Sequence, residues 1–369
     1  MKPFGKIPEH RWPIRVEPLE DEITSSWLVR TARAYGETPN DFAQLAWGDL
    51  PVWNRDVDNT VSAVALRALG RRLDIDPVRA AETSLRAFLS RLGAINPAWA
   101  PGLLRAGIYH RIRRRHGQQY CPSCLAGDPV PYFRRRWRLA FAFVCESHHC
   151  LLRDACPDCD APVVAHRSRE LALDRCCVCD QSLAGSPTPA SAFQTAAQQV
   201  LSTAWEMGVA EIDTRTLPFP EWLRGLRILY HALHRPGIAA WILSTEKVDQ
   251  VPHKDRAAPL EIARLRDRAL LLPAAVWLTC AWPRHMLDVG RELELRATEI
   301  LDPKRSPAPA WLLQVVKDNF PYVPRARRHK RRKPGGGRIA AHAARQRLNL
   351  GQALTHRLDA VDSQPGGSS

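Results

Sequence analysis

Cys121-Pro-Ser-Cys124, Cys145-Glu-Ser-His148, Cys156-Pro-Asp-Cys159 and Cys176-Cys-Val-Cys179 follow one another through the middle of the chain. Each pair has the two-residue gap that lets both side chains turn toward one tetrahedral ion. Four pairs supply eight ligands, enough for two closed zinc sites with no vacancy for a substrate. The pattern predicts a scaffold that presents a surface, not a metalloenzyme. Joining neighbours gives Cys121, Cys124, Cys145 and His148 for one ion, and Cys156, Cys159, Cys176 and Cys179 for the other. The intervals between knuckles, about 20 and 16 residues, match ribbon spacings. The alternative is an interleaved scheme in which the first and third pairs share an ion. Cys177 competes with Cys176, although only Cys176 keeps the two-residue gap to Cys179. His149 and Cys150 are adjacent spares, and Cys280, in an apolar helical stretch, reads as a buried thiol.

The 369 residues around these pairs are long enough for two or three domains, and 45% hydrophobic content with 25% charge is ordinary for a globular fold. The charge balance is not ordinary. Lys and Arg number 53 against 38 acids, a net charge of +15 and a pI near 9.8, which favours a polyanionic partner, nucleic acid above all. The start, Met1-Lys-Pro-Phe-Gly-Lys6, lacks the apolar run of a signal peptide. The most apolar stretch, 269–282, is about 14 residues against the roughly 20 needed to span a bilayer. The expectation is a cytoplasmic protein with no membrane contact, whose paired cysteines bind metal instead of forming disulfides.

These features predict a mainly α fold with small β zinc ribbons, in four parts. Residues 1–105 read as a helical N-terminal domain: Asp21-Glu22 open and Gly36 closes a helix over 23–35, a second covers 61–73, and Asp76-Pro77 opens a third ending at Gly93. The short Asp74-Ile75-Asp76 connection suits a helix-turn-helix and equally an ordinary helical hairpin. Residues 106–185 form the tandem zinc-ribbon region, in which the partial alternation of Trp137, Leu139, Phe141 and Phe143 predicts a strand or hairpin feeding Cys145. Residues 186–323 read as a helical C-terminal domain, with helices near 191–207, 223–233, 238–243, 258–282 and 286–295. Residues 324–369 read as a disordered basic tail, since seven of the nine residues 325–333 are Lys or Arg and cannot pack into a core.

The order Cys-Pro-x-Cys-Leu, then Pro131-Tyr-Phe-Arg-Arg-x-Trp-Arg-Leu-Ala-Phe141, then Cys-x-x-His followed by Leu151-Leu152, then Cys-Pro-x-Cys, resembles the TniQ/TnsD family of transposon target selectors. Pro18-Leu-Glu-Asp-Glu-Ile-Thr-Ser-Ser-Trp-Leu-Val-Arg30 is similar to the opening of that family, and Ala281-Trp-Pro283 more loosely to its later helical part. The resemblance covers roughly residues 15–290 and is most specific over 118–160. His149 and Cys150 depart from it, standing where the family often has glycine and an apolar residue.

The resemblance implies a non-catalytic adaptor that binds target DNA or a target-bound complex and recruits the transposon's AAA+ ATPase regulator. Some relatives dock on a CRISPR RNA-guided effector with its guide RNA, often as dimers; others bind an attachment site directly. A role of this kind would associate the protein with the nucleoid. The rival reading is a zinc-ribbon DNA-binding transcription regulator.

Three basic clusters are candidates for nucleic-acid contact: Arg111, Arg113, Arg114 and Arg115; Arg134, Arg135 and Arg136; and Arg325, Arg327, Arg328, Lys330, Arg331, Arg332 and Lys333 in the tail. Arginine's planar fork suits phosphate, and Tyr132, Phe133 and Trp137 are interleaved for stacking on bases. The competing reading is a solvated face over core aromatics, or a generic cationic tail. Enzyme motifs are missing: Gly335-Gly-Gly-Arg338 lacks the Lys-Ser/Thr of a phosphate-binding loop, and His148-His149-Cys150 lacks the glutamate of a zinc deaminase.

Overall fold

The stretch 18–30 leads into a buried helix in a computed structural model that describes residues 11–322, apart from 49, 97–99, 110–111, 114, 169–170, 236, 247–257 and 302–306. That helix, α1 (Thr24–Ala34), buries Trp27, Leu28, Val29 and Ala32. Glu22, itself buried, holds its approach: it accepts from Ser26 Oγ at 2.7 Å and from Arg30 Nε at 2.8 Å. A short α2 (Pro39–Trp47), capped by Thr38 with proline at its first position, was not anticipated although both signals stand in the sequence. After α3 (Val57–Thr60), α4 (Ala63–Arg72) and α5 (Pro77–Glu82) form the helical hairpin. Asp76 caps α5 by accepting from Val78 N at 2.9 Å. Asp74 turns the chain at φ 56°, and a Cβ on Gly70 would lie 2.8 Å from that of Ala80, so only glycine permits this crossing.

The third helix ends well short of Gly93. Ser84 Oγ accepts from Arg86 N at 3.2 Å and Thr83 O accepts from Thr24 N at 3.0 Å, so these residues cap and bridge, and a 3₁₀ turn, Leu85–Phe88, follows.

The middle of the chain holds two minimal antiparallel hairpins, β1 (Ile108–Tyr109) with β2 (Ile112–Arg113), and β3 (Val144–Cys145) with β4 (Cys150–Leu151), and a short helix α6 (Pro122–Gly127). The strand expected over 132–144 is a 3₁₀ turn, Arg135–Arg138, followed by an irregular passage into β3. The reason is burial on every side: Phe133, Trp137, Phe141 and Phe143 are in the core, but so are Arg138 and Ala140 between them. The carbonyls here are satisfied by side chains instead of a strand ladder. Gln119 Nε2 donates to Trp137 O at 2.9 Å and Ala142 O at 3.1 Å, and Arg268 donates to Ala140 O at 2.8 Å.

Beyond the metal region come α7 (Ala192–Met207), an unpredicted hairpin of β5 (Val209–Ile212) and β6 (Arg215–Pro218), then α8 (Phe219–Ala232), α9 (Ile238–Thr245), α10 (Leu265–Cys280), α11 (Arg284–Glu292), α12 (Ala297–Ile300) and α13 (Ala310–Asn319). Ser191 and Gln194 form a capping box on α7, and Gly208 at φ 72° stops it. Helix α10, buried along most of its length, packs on α7, α8, α9 and α11. Cys280 is its last residue and is exposed, contrary to the buried thiol expected there, because it follows the last buried residue of the helix, Thr279. A continuous hydrophobic core runs from Ile23 to Phe320 and includes six of the cysteines. Among the described residues no helix is long and apolar enough to cross a membrane.

Candidate metal centres

Cys121 is the N-cap of α6, and its Sγ accepts from Cys124 N at 3.4 Å, so one turn of helix places both thiols on the same side. The second pair comes from the β3–β4 hairpin. His149, at φ 47°, turns the chain, and its N–H donates to Cys145 O at 2.8 Å. The result is a cluster in which the ligand atoms of Cys121, Cys124, Cys145 and His148 all lie within 4.8 Å of one another. Cys124 Sγ and Cys145 Sγ are 3.7 Å apart, and His148 Nδ1 lies 3.7, 3.3 and 3.5 Å from the sulfurs of Cys121, Cys124 and Cys145. A tetrahedral zinc with Zn–S about 2.3 Å and Zn–N about 2.0 Å requires S···S near 3.8 Å and S···N near 3.5 Å. The donor set fits zinc.

Cys156, Cys159, Cys176 and Cys179 form the second cluster, with Cys156–Cys179 and Cys159–Cys176 sulfur separations of 3.6 Å each. It is built from one knuckle used twice. Cys156 N donates to Ala161 O at 2.9 Å and Asp160 N to Cys156 O at 3.1 Å, with Asp160 at φ 54°; Cys176 N donates to Gln181 O at 2.8 Å and Asp180 N to Cys176 O at 3.1 Å, with Asp180 at φ 59°. Burial pushes the Cys176 thiol up, but the N–H groups of Cys179 and Val178 and the neighbouring thiols more than offset it, leaving it down at about 7. Cys177 points away, toward Pro162 O at 3.9 Å. The fold thus joins neighbouring pairs and does not interleave them.

Both clusters are tied to the helices. Tyr120 pairs with Arg153 through backbone bonds of 2.9 and 2.8 Å, and its hydroxyl donates to Ala155 O at 2.9 Å, linking the two sites. Arg264 donates to Asp154 at 3.2 Å and Asp160 at 2.7 Å, and Asp154 accepts from Leu265 N at 2.7 Å at the start of α10. Arg268, fully buried, adds Gln119 Oε1 at 2.8 Å. When bound, zinc supplies cross-links that substitute for the apolar area such small ribbons cannot bury. With four protein donors at each cluster, no coordination position is left for a substrate.

Cys150, a spare by its spacing in the sequence, is buried and its Sγ lies 3.6 Å from that of Cys121. The strand register that places Cys150 opposite Cys145 brings it there.

The TniQ family model matches residues 13–152. The chain carries a TniQ domain. That domain marks a transposition-associated target-selection protein, from a family that works with DNA and the transposition machinery. No curated protein matches the chain. The TniQ domain begins before α1 and closes just after the first tetrad, so the second tetrad lies beyond it. Its two signature stretches meet in space: Glu22 forms a β-bridge with Arg134, Ile23 N donates to Phe133 O at 2.9 Å, and Phe133 N donates to Ser26 Oγ at 3.0 Å.

The basic clusters are distributed unevenly. Arg134 forks onto Asp128 at 3.1 and 2.8 Å, Arg135 donates to Asp21 at 3.1 Å, and Arg136 donates to Asp21 at 3.0 Å and Glu146 at 3.3 Å. Their guanidinium groups are engaged within the TniQ domain, and Phe133 and Trp137 are buried, while Tyr132 is half-buried with the Arg134 guanidinium 4.2 Å from its ring centre. Arg113 lies on β2 opposite Ile108, and Arg115 is exposed. Arg111, Arg114 and the basic tail from Arg325 to Lys333 lie outside the described residues.

Proposed function

We propose that this protein is a non-catalytic target-site selection adaptor in DNA transposition. It binds target DNA or a target-bound complex, including a CRISPR RNA-guided one, and recruits an AAA+ transposition regulator. The TniQ domain is the observation that carries this reading. The two four-donor clusters support the non-catalytic part, because closed tetrahedral sites hold structure and leave the ion inaccessible to a reacting group. In this reading Cys121, Cys124, Cys145 and His148 hold one structural zinc, and Cys156, Cys159, Cys176 and Cys179 the other. Arg111, Arg113, Arg114 and the tail 325–333 supply DNA contacts that are independent of sequence. A transposition assay in cells tests it: removing the protein should abolish insertion at the selected site while the transposase and its regulator remain present. Unchanged insertion at that site would contradict the adaptor role, and binding to a promoter fragment with no effect on transposition would favour a transcription regulator.

A further inference from the structure

Arg55, Arg86 and Arg115 are exposed around the rim of one groove of about 1310 Å³, and none of the three has an acidic partner among the described residues. This contrasts with Arg134, Arg135, Arg136 and Arg138, each committed to a carboxylate. Asp56, the carboxylate on the groove wall, is held by Arg138 Nη1 at 3.2 Å and by Nη2 as well, so it does not neutralise the rim. Inside the rim aliphatic side chains alternate with the polar Asn59, Thr60, Ser62 and Asn96. Leu50 is 45% exposed and Ile95 is 99% exposed. Exposed aliphatic side chains bordered by charges mark an interaction surface, because leaving them in water costs free energy that a partner recovers.

We infer that this groove docks an acidic, aliphatic peptide segment of a protein partner. Its Leu, Ile or Val side chains lie on Leu50 and Ile95, and its carboxylates pair with the three arginines. The volume exceeds the roughly 300–1,000 Å³ of a small-molecule pocket, which suits several residues of an extended chain or one face of a helix. Single-stranded nucleic acid fits less well. Its binding needs aromatic faces for base stacking, and the tryptophan of this lining, Trp47, is buried with its indole N–H donating to Ala65 O at 3.2 Å. Duplex DNA gains nothing from aliphatic side chains inside a concavity. The inference goes beyond the adaptor reading and stands whichever protein carries the segment.

Fluorescence anisotropy on the full chain tests this, using a labelled peptide of about 12 residues that alternates Glu with Leu and Ile. Saturable binding is expected, with no binding of the same peptide carrying Lys for Glu. The double variant Arg55→Glu/Arg86→Glu and the single variant Ile95→Asp should each weaken binding by about tenfold or more. Both alter exposed side chains, and unchanged zinc content and circular dichroism confirm that the fold is kept. Absence of saturable binding, or binding indifferent to these variants, overturns the inference. So does a DNA duplex that displaces the peptide and is itself weakened by the same variants, which would make the groove a nucleic-acid surface.

Discussion

Arg138 donates through Nη1 to Asp58 Oδ2 at 2.6 Å across 80 residues of sequence, and both side chains are buried. The same Asp58 accepts from Ser25 N at 2.7 Å at the start of α1, while Arg138 Nη2 donates to Leu104 O at 3.1 Å. One ion pair therefore fastens α1 to the segment leading into the metal clusters. Burial alone would depress the Arg138 guanidinium, but Asp56 and Asp58 more than reverse this and hold it above its ordinary range.

Removing Arg138 leaves Asp58 buried without its cation, whereas removing Asp58 leaves Arg138 still paired with Asp56. Arg138→Ala should cost about 3–5 kcal/mol of stability, Asp58→Ala less, and the double variant less than the sum. Denaturant titration of the three proteins checks this. A loss below about 1 kcal/mol for Arg138→Ala would show that the pair does not hold the fold.

Metal analysis of the purified chain should find two zinc ions, one for each tetrad. Cys121→Ser and Cys159→Ser should each remove one. Their consequences differ because Cys121 is buried in the core and Cys159 is exposed, so the first variant destabilises the TniQ domain and the second only its local knuckle. Acidification should release both ions, since protons compete for the thiolates and His148. One ion or none in folded, undamaged protein would contradict the two-site assignment.

Cys150 should matter and Cys177 should not. With its thiol 3.6 Å from Cys121 Sγ, Cys150 is an outer partner of a ligand, and such partners are worth about 10–100-fold in metal affinity. Chelator competition on Cys150→Ala should show weakened zinc at the first site, whereas Cys177→Ala should leave the second unchanged. Equal behaviour of the two variants would remove the distinction.

The stretch 325–333 should act through charge. Deleting 325–369 is expected to flatten the dependence of DNA affinity on salt, because eleven Lys and Arg residues that release counterions are lost, seven of them in 325–333. Salt titrations of the full and shortened chains measure it directly, and identical slopes would exclude the tail from DNA binding.

The metal clusters were legible because the two-residue gaps dictate local geometry on their own, and Asp76-Pro77 and Ser191 announced their helices by capping chemistry. Residues 132–144 were not legible. Their alternation imitates a strand, and only Gln119 and Arg268, distant in sequence, reveal that side chains satisfy the carbonyls. The commitment of Arg134, Arg135 and Arg136 was hidden for the same reason, since two of the three reach back to Asp21. The β5–β6 hairpin turns on Asp213 at φ 53° with no glycine to signal it.

The adaptor reading is tested most directly by co-purifying the full chain, in the presence of ATP, with an AAA+ transposition regulator taken from its own gene neighbourhood. The account predicts a stable complex that persists when residues 325–369 are removed. Failure of the two proteins to associate, while the zinc-loaded chain binds DNA on its own, would contradict it.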